Sequence, residues 1–278
     1  MPTNLQSLLD QSAARLGPHP NARRDAELLL LRTLQRDRAW LLTHADETLT
    51  PAQLAQFEAW LARRVRHEPI QYILGEQEFY SLNFRVTPDV LIPRPETEHL
   101  VEAALQRIPP SAPVQIADIG TGSGAIAVAL AHHRTQAHIT ATDTSAAALA
   151  VARENAERHH AADRMHFLES DLLAALPGRR FFAIASNPPY VAASEILEPQ
   201  VRDYEPHAAL FAGPTGLEIY QRLIPQAWQS LVPAGWLLLE IGHGQQTALA
   251  DLLTGWDNVA FLPDLQGIPR VAIARRAI

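Results

Sequence analysis

From about residue 112 onward the sequence predicts an α/β unit built on a mostly parallel, doubly wound sheet, and a helical module precedes it. Three observations carry this. Short apolar runs alternate with helical patterns from Val114 to the end of the chain, which is the pattern of parallel strands joined by crossover helices. A glycine-rich turn, Gly120-Thr121-Gly122-Ser123-Gly124, stands between the first such strand and its helix. A later strand, Phe181 to Ser186, runs straight into Asn187-Pro188-Pro189-Tyr190. Two adjacent prolines fix two φ angles and remove two N–H donors, so this strand end is a stiff, extended turn.

The module, residues 1–75, reads as helices. Leu5, Leu8, Leu9, Ala13 and Leu16 fall at helical spacing, and Gly17-Pro18 ends the segment. A second helix runs from about Asn21 through Leu34, and a short third piece covers Ala39 to Leu42. The fourth starts at Thr50, with Pro51 at the first position and Gln53 completing a capping box. Its apolar stripe is Leu54, Phe57, Leu61 and Val65. Arg63, Arg64, Arg66 and His67 read as a solvated basic helix end. This module carries no catalytic constellation, and its expected role is to dock a macromolecular partner or brace the second domain.

Residues 76–92 form a connector with strand character, where Glu78-Phe79-Tyr80 and Phe84-Arg85-Val86 flank Ser81-Leu82-Asn83 as a hairpin. A second proline-stiffened loop follows, Leu91-Ile92-Pro93-Arg94-Pro95-Glu96-Thr97-Glu98, with a helix from Thr97 to Gln106. In the domain from 93 to 278, strands are expected at 114–119, 138–143, 165–169, 181–186 and 236–241, with two closing strands near 259–261 and 270–274. Helices are expected at 125–133, 145–160, 216–230 and 245–253. Residues 191–214 read as irregular.

Composition removes several chemistries. The 278 residues contain no cysteine, which excludes disulfides, thiolate nucleophiles and thiolate metal sites. All 23 basic residues are arginine, so no lysine base, Schiff base or phosphate-loop lysine is available. Residues 76–278 hold fourteen Arg against twenty-two Asp and Glu. That acidic balance argues against duplex nucleic acid as a partner, because phosphate contacts dominate such affinity. The first residues lack the basic and apolar runs of a secretion signal. No apolar run approaches the roughly 18 residues that span a bilayer. The expected compartment is the cytoplasm, with no membrane partner. The histidine pairs His132-His133 and His159-His160 lie at helix ends, where neighbouring side chains diverge, so no metal site is expected.

In a doubly wound sheet, ligands bind at the carboxyl ends of the strands. Gly120, Gly122 and Gly124, Asp143 at the end of the second strand and Asp171 after the third all fall there. An acid about twenty residues beyond the loop suits two ribose hydroxyls. Asp118, just before the loop, suits a cationic amino-acid group better than a pyrophosphate, which it would repel. These features favour S-adenosylmethionine over a dinucleotide. Asn187-Pro188-Pro189-Tyr190 then offers a carboxamide oxygen and a free carbonyl to accept N–H groups, beside an aromatic ring. That is a pocket for a flat group bearing an NH2.

With both motifs in view, the chain resembles the HemK/PrmC family of glutamine N5-methyltransferases, which modify peptide chain release factors. The likeness covers nearly the whole chain. It includes Arg23 to Glu27, Glu68-Pro69-Ile70 with Gly75, Ile92 to Glu98, Asp118 to Gly124, Ser186 to Tyr190 and Tyr204-Glu205-Pro206 with Leu210. Asn-Pro-Pro-Tyr alone is shared with DNA amino-methyltransferases; the Ile92 to Glu98 element makes the match specific. The resemblance implies a Rossmann-like class I S-adenosylmethionine-dependent methyltransferase domain with a seven-stranded sheet, an N-terminal helical bundle and a β-hairpin linker.

It also implies the chemistry. Asp118, Gly120, Thr121, Gly122, Ser123, Gly124, Asp143, Asp171, Leu172 and Asn187 would hold S-adenosyl-L-methionine and its product S-adenosyl-L-homocysteine. Asn187, Pro188, Pro189 and Tyr190 would hold the amide of the glutamine in a Gly-Gly-Gln loop of class 1 release factors. Some family members carry an aromatic residue after the third-strand Asp; here Leu172 presents an aliphatic face to adenine. The expected protein is a monomer that binds no nucleic acid directly. The alternative is a methyltransferase for another planar amino group, a ribosomal-protein glutamine or an adenine or cytosine in nucleic acid.

Overall fold

A computed structural model describes residues 3–18 and 20–278. The chain packs as two compact units. The first holds the residues up to Gly75 together with Glu198–Tyr204, and the second holds Glu76–Leu197 and Glu205–Ile278. Among the described residues, no helix is long and apolar enough to cross a membrane.

The first unit contains α1 (Leu5–Arg15), α2 (Ala22–Leu34), α3 (Arg38–Thr43), α4 (Pro51–Val65) and α5 (Ile70–Leu74). Its core is Leu5, Leu8, Leu9, Ala26, Leu29, Leu30, Phe57 and Leu61. The capping box forms as read: Thr50 Oγ1 accepts from the Gln53 N–H, and Gln53 Oε1 accepts from the Thr50 N–H. Such a cap contributes about 1 kcal/mol to a helix that must start at that point. The stripe on α4 differs from the expected one. Leu54 and Val65 are exposed. Arg64, read as part of a solvated cluster, is instead buried at 6% exposure, with Nε donating to Asp25 Oδ2 at 2.7 Å. Its Nη1 donates to the Glu68 carbonyl, and its Nη2 reaches Gln200 within the same unit. Burying a guanidinium is tolerable only because a carboxylate and two further acceptors satisfy its donors.

The second unit opens with β1 (Glu76–Phe79) and β2 (Leu82–Arg85). The turn is tighter than expected, two residues rather than three. Tyr80 and Ser81 both take positive φ, 51° and 61°, the twist that joins antiparallel strands most directly. Glu98 Oε1 and Glu78 Oε1 accept from their two N–H groups. Phe79 and Phe84 are fully covered in the second unit's core, so the hairpin is part of that unit's packing.

Next come α6 (Pro95–Arg107), β3 (Gln115–Ile119), α7 (Ala125–His133), β4 (His138–Asp143), α8 (Ala146–Arg158), β5 (Met165–Glu169) and β6 (Phe181–Ser186). The stretch read as irregular is partly ordered: β7 (Val191–Ala192) pairs with β8 (Phe211–Gly213), with α9 (Pro199–Arg202) between them. The chain ends with α10 (Glu218–Ser230), β9 (Leu231–Glu240), α11 (Gln246–Leu252), β10 (Asp257–Pro263) and β11 (Pro269–Arg275).

Seven strands form one sheet in the order β10-β11-β9-β6-β3-β4-β5. The pairs from β9 to β5 are all parallel, and β11 runs antiparallel to both its neighbours. The expected seven-stranded, mostly parallel sheet is present. One face packs on α6, α7 and the hairpin, the other on α10 and α11. The strands β3, β4 and β6 bury most of their residues, as doubly covered parallel strands must, whereas the edge strand β5 buries none fully. The chain leaves β3 towards β4 and β5, then returns on the other side of β3 to form β6. This reversal is where a crevice opens at the strand ends.

Candidate active site

The crevice is a real cavity. Its wall includes Ile119 to Ser123, Asp143, Ser170, Asp171, Leu172 and Ser186 to Pro189 from the strand ends. Pro93 and Arg94, from the loop before α6, and Thr97, in the first turn of α6, close it. The glycine loop and Asn187-Pro188-Pro189, distant in sequence, therefore share one wall. Ser186 Oγ donates to the Ile119 carbonyl at 2.6 Å, which ties the two strand ends together.

Gly120, Gly122 and Gly124 have φ of 72°, 55° and 82°, left-handed values that a side chain would strain. A Cβ at Gly124 would also lie 3.2 Å from Ala152, so the loop and α8 sit backbone to backbone there. Asp143 holds the loop: its Oδ2 accepts from the Gly122 N–H and its Oδ1 from the Ser145 N–H, both at 2.9 Å. Each oxygen keeps a second lone pair for a hydroxyl in the cavity. A carboxylate with lone pairs to spare, a glycine loop and the aliphatic face of Leu172 fit S-adenosylmethionine, and no phosphate cradle is needed.

Asp118 lies in β3, just ahead of the loop. It is fully buried, does not line the cavity and accepts from Thr121 Oγ1 at 2.6 Å. Burial pushes its carboxyl up to about 7. It meets the loop through Thr121. Asp171 lines the cavity, but its exposed carboxylate pairs with Arg222 of α10. Leu172 has φ of 53° and its carbonyl accepts from Thr142 Oγ1.

The proline turn is held by residues that motif reading passed over. Asn187 Nδ2 donates to Thr97 Oγ1 at 3.1 Å, and Thr97 Oγ1 donates to Glu240 Oε2 at 2.5 Å. Tyr190 OH lies 3.4 Å from Glu240 Oε1. Burial, with Glu240 beside it, raises the Tyr190 phenol well above its ordinary range, so it stays neutral. Gln245 Nε2 donates to the Tyr190 carbonyl and to the Gly216 carbonyl, and its Oε1 accepts from the Gly242 N–H. A Cβ on Gly242 would lie 3.0 Å from the Tyr190 ring, so only glycine lets the ring settle there. Thr97 stands in the quoted Ile92 to Glu98 element, and Glu240 is the one acid in an otherwise apolar strand end. A charge in that position was the available signal.

The loop ahead of α6 is braced as well. Arg94 Nη2 pairs with Glu205 Oε1 at 2.5 Å, and Glu205 Oε2 accepts from the Ile92 N–H. Glu205, 4% exposed, thereby clamps the lip formed by Pro93 and Arg94 to the stretch beginning at Pro206. The histidine pairs serve packing: His133 stands edge-on to Tyr80 and His159 lies against Phe84. Among the described residues, no three His, Asp or Glu side chains group as metal ligands.

Residues 7–75 match the model of the PrmC N-terminal domain, and residues 97–203 match that of the methyltransferase small domain. A release factor glutamine methyltransferase of Koribacter versatilis is 46% identical over 260 residues, 92% of each chain. That of Moorella thermoacetica is 43% identical over 279 residues, 98% of each chain. Among solved structures, a T. thermophilus 16S rRNA methyltransferase in complex with AdoMet and guanosine superposes with a TM-score of 0.55 at 20% identity. It covers 72% of this chain and 49% of its own, and shares the fold.

Proposed function

The chain belongs to the release factor glutamine methyltransferases, and on that footing we propose that Asn187 to Tyr190 hold a release-factor glutamine by its side-chain amide for methylation at nitrogen. The methyl donor is S-adenosylmethionine, which supplies a methyl carbon on a sulfonium and leaves as S-adenosylhomocysteine. The glutamine is that of the Gly-Gly-Gln loop of a class 1 release factor, and the enzyme works in the cytoplasm, where translation terminates.

One observation carries this reading. The Asn187 NH2 is turned away to Thr97, and its Oδ1 accepts from no described residue on a wall shared with the glycine loop. A carboxamide nitrogen is a poor nucleophile because its lone pair is delocalised into the C=O. Asn187 Oδ1 and the Pro188 carbonyl accept its two N–H groups and favour positive charge on nitrogen as the new bond forms. Tyr190 stands behind this wall with its hydroxyl towards Glu240 and braces the turn. The turn's stiffness fixes these groups before substrate arrives. No strong base is required, because an N-protonated amide is very acidic and releases its proton to water.

Asn187→Ala is the test. Turnover should fall by about 100-fold or more, the scale of losing one preorganised charge-stabilising group. Binding of S-adenosylhomocysteine, read by calorimetry, should change only a few-fold. Near-normal turnover in this variant would contradict the assignment.

A further inference from the structure

We propose that Thr97 and Glu240 are positioning residues that lock the Asn187 carboxamide with its oxygen towards the reacting nitrogen. The inference rests on the reading of Asn187 above and extends it to two residues that do not touch substrate.

A carboxamide is nearly symmetric in shape, and its oxygen and nitrogen exchange places on a half-turn of the last side-chain torsion. Only one orientation serves the reaction. With Oδ1 towards the cavity, Asn187 accepts from the substrate NH2. With Nδ2 there, donor meets donor and the substrate amide is repelled. Stiffness of the proline turn cannot decide between the two, because it fixes the backbone and not this torsion.

Thr97 and Glu240 decide it by proton count. Glu240 ends β9 and is 2% exposed. As a carboxylate it accepts and cannot donate. Thr97 Oγ1 lies 2.5 Å from Glu240 Oε2, so the single hydroxyl proton is committed to that bond. Thr97 can then only accept from its other neighbour. The group that reaches it from Asn187 must be the NH2, and Nδ2 lies 3.1 Å away. Reversing the carboxamide would set Oδ1 against Oγ1 with no proton between them. Tyr190 OH, towards the other Glu240 oxygen, offers that carboxylate a second donor.

The relay depends on Glu240 being ionised. Glu240 faces Thr97 and Glu96 from α6, Tyr190 from the turn after β6, Tyr220 from α10 and Arg270 from β11. Burial raises its carboxyl to about 7, and the bond from Thr97 pulls the other way; Glu96 adds to the rise, while Tyr190 and Arg270 oppose it. Once protonated, Glu240 can donate to Thr97, the hydroxyl proton becomes free for Asn187 Oδ1, and the carboxamide can reverse. Turnover therefore falls on the acid side of this titration.

The experiment measures kcat, KM for S-adenosylmethionine and the pH profile of kcat for wild type, Thr97→Val, Thr97→Ser, Glu240→Gln and Asn187→Ala. Thr97→Val should lower kcat about 10- to 100-fold with KM for the cofactor within about threefold, since the hydroxyl is lost and the methyl volume kept. Thr97→Ser should restore most of kcat. Glu240→Gln, which cannot titrate, should lose the acid limb of the profile. The proposal is overturned if Thr97→Val turns over within twofold of wild type while Asn187→Ala is inactive, which leaves the reading of Asn187 intact. Turnover near wild type in Asn187→Ala would remove that reading itself. If Thr97→Val does not fold, Glu240→Gln decides: an acid limb unchanged from wild type overturns the relay.

Discussion

Asn155, in α8, exchanges two hydrogen bonds with the backbone of Arg85 in the hairpin: its Oδ1 accepts from the Arg85 N–H at 2.7 Å, and its Nδ2 donates to the Arg85 carbonyl at 2.9 Å. The same Nδ2 donates to the Ser123 carbonyl in the glycine loop at 2.8 Å. Asn155 is fully buried. One side chain thus pins both the hairpin and the cofactor loop.

Asn155→Ala should weaken cofactor binding without touching the cavity wall. It strands the buried Ser123 carbonyl, worth about 1–3 kcal/mol when unsatisfied, and the half-buried N–H and carbonyl of Arg85. The thermal midpoint should drop by several degrees, and S-adenosylhomocysteine affinity should fall roughly tenfold as the loop loses its anchor. Calorimetric affinity equal to wild type would show that the loop holds its shape without Asn155.

The buried pair of Arg64 and Asp25 gives a second prediction, confined to the helical unit. Asp25→Ala leaves a guanidinium buried at 6% exposure with its closest acceptor gone. Removing one partner of such a pair costs on the order of 3–5 kcal/mol. Hydrogen exchange in α2 and α4 should accelerate accordingly. A double replacement, Asp25→Ala with Arg64→Met, should recover much of the loss, because no orphan charge remains. A double variant as unstable as the single one would mean that packing, and not charge, governs the site.

Stability should also depend on pH in a stated direction. Asp118 and Glu240 are both pushed up to about 7 by burial, from ordinary values of 3.8 and 4.5. Between those ordinary values and about 7, the folded chain holds protons that the unfolded chain has released. Stability from these groups is therefore greatest below pH 4 and is lost as pH rises to about 7. The full effect is on the order of 3–4 kcal/mol for each group. Glu240→Gln should gain on wild type by about 1–3 kcal/mol between pH 5 and pH 8 in denaturant unfolding. A difference independent of pH would show that Glu240 titrates normally.

The strands and the two motifs were legible because their signals are local. Parallel strands announce themselves as apolar runs, the glycine loop by its spacing, and the proline turn by two adjacent residues that lack N–H groups. What escaped is set by contact across long separations. Thr97 and Glu240 stand 143 residues apart, and they meet only because α6 packs against β9 in the finished fold. Apolar periodicity placed Leu54 and Val65 inside α4 because it could not see that Asp25, 39 residues from Arg64, draws the arginine inward. The burial of Asp118 and its bond from Thr121 were likewise beyond what its position before the loop could show. The two-residue turn at Tyr80-Ser81 lacks glycine or asparagine, and the acids that accept from its N–H groups include one on α6.

The central claim concerns the amide held by Asn187, and mass spectrometry of its product tests it most directly. Purified class 1 release factor would be incubated with this enzyme and S-adenosylmethionine, then digested and mapped. The account predicts a single added methyl on the side-chain nitrogen of the glutamine in the Gly-Gly-Gln loop, and none when the enzyme carries Asn187→Ala. A release factor left unmodified by an enzyme that still binds the cofactor, or a methyl on any other residue, would contradict it.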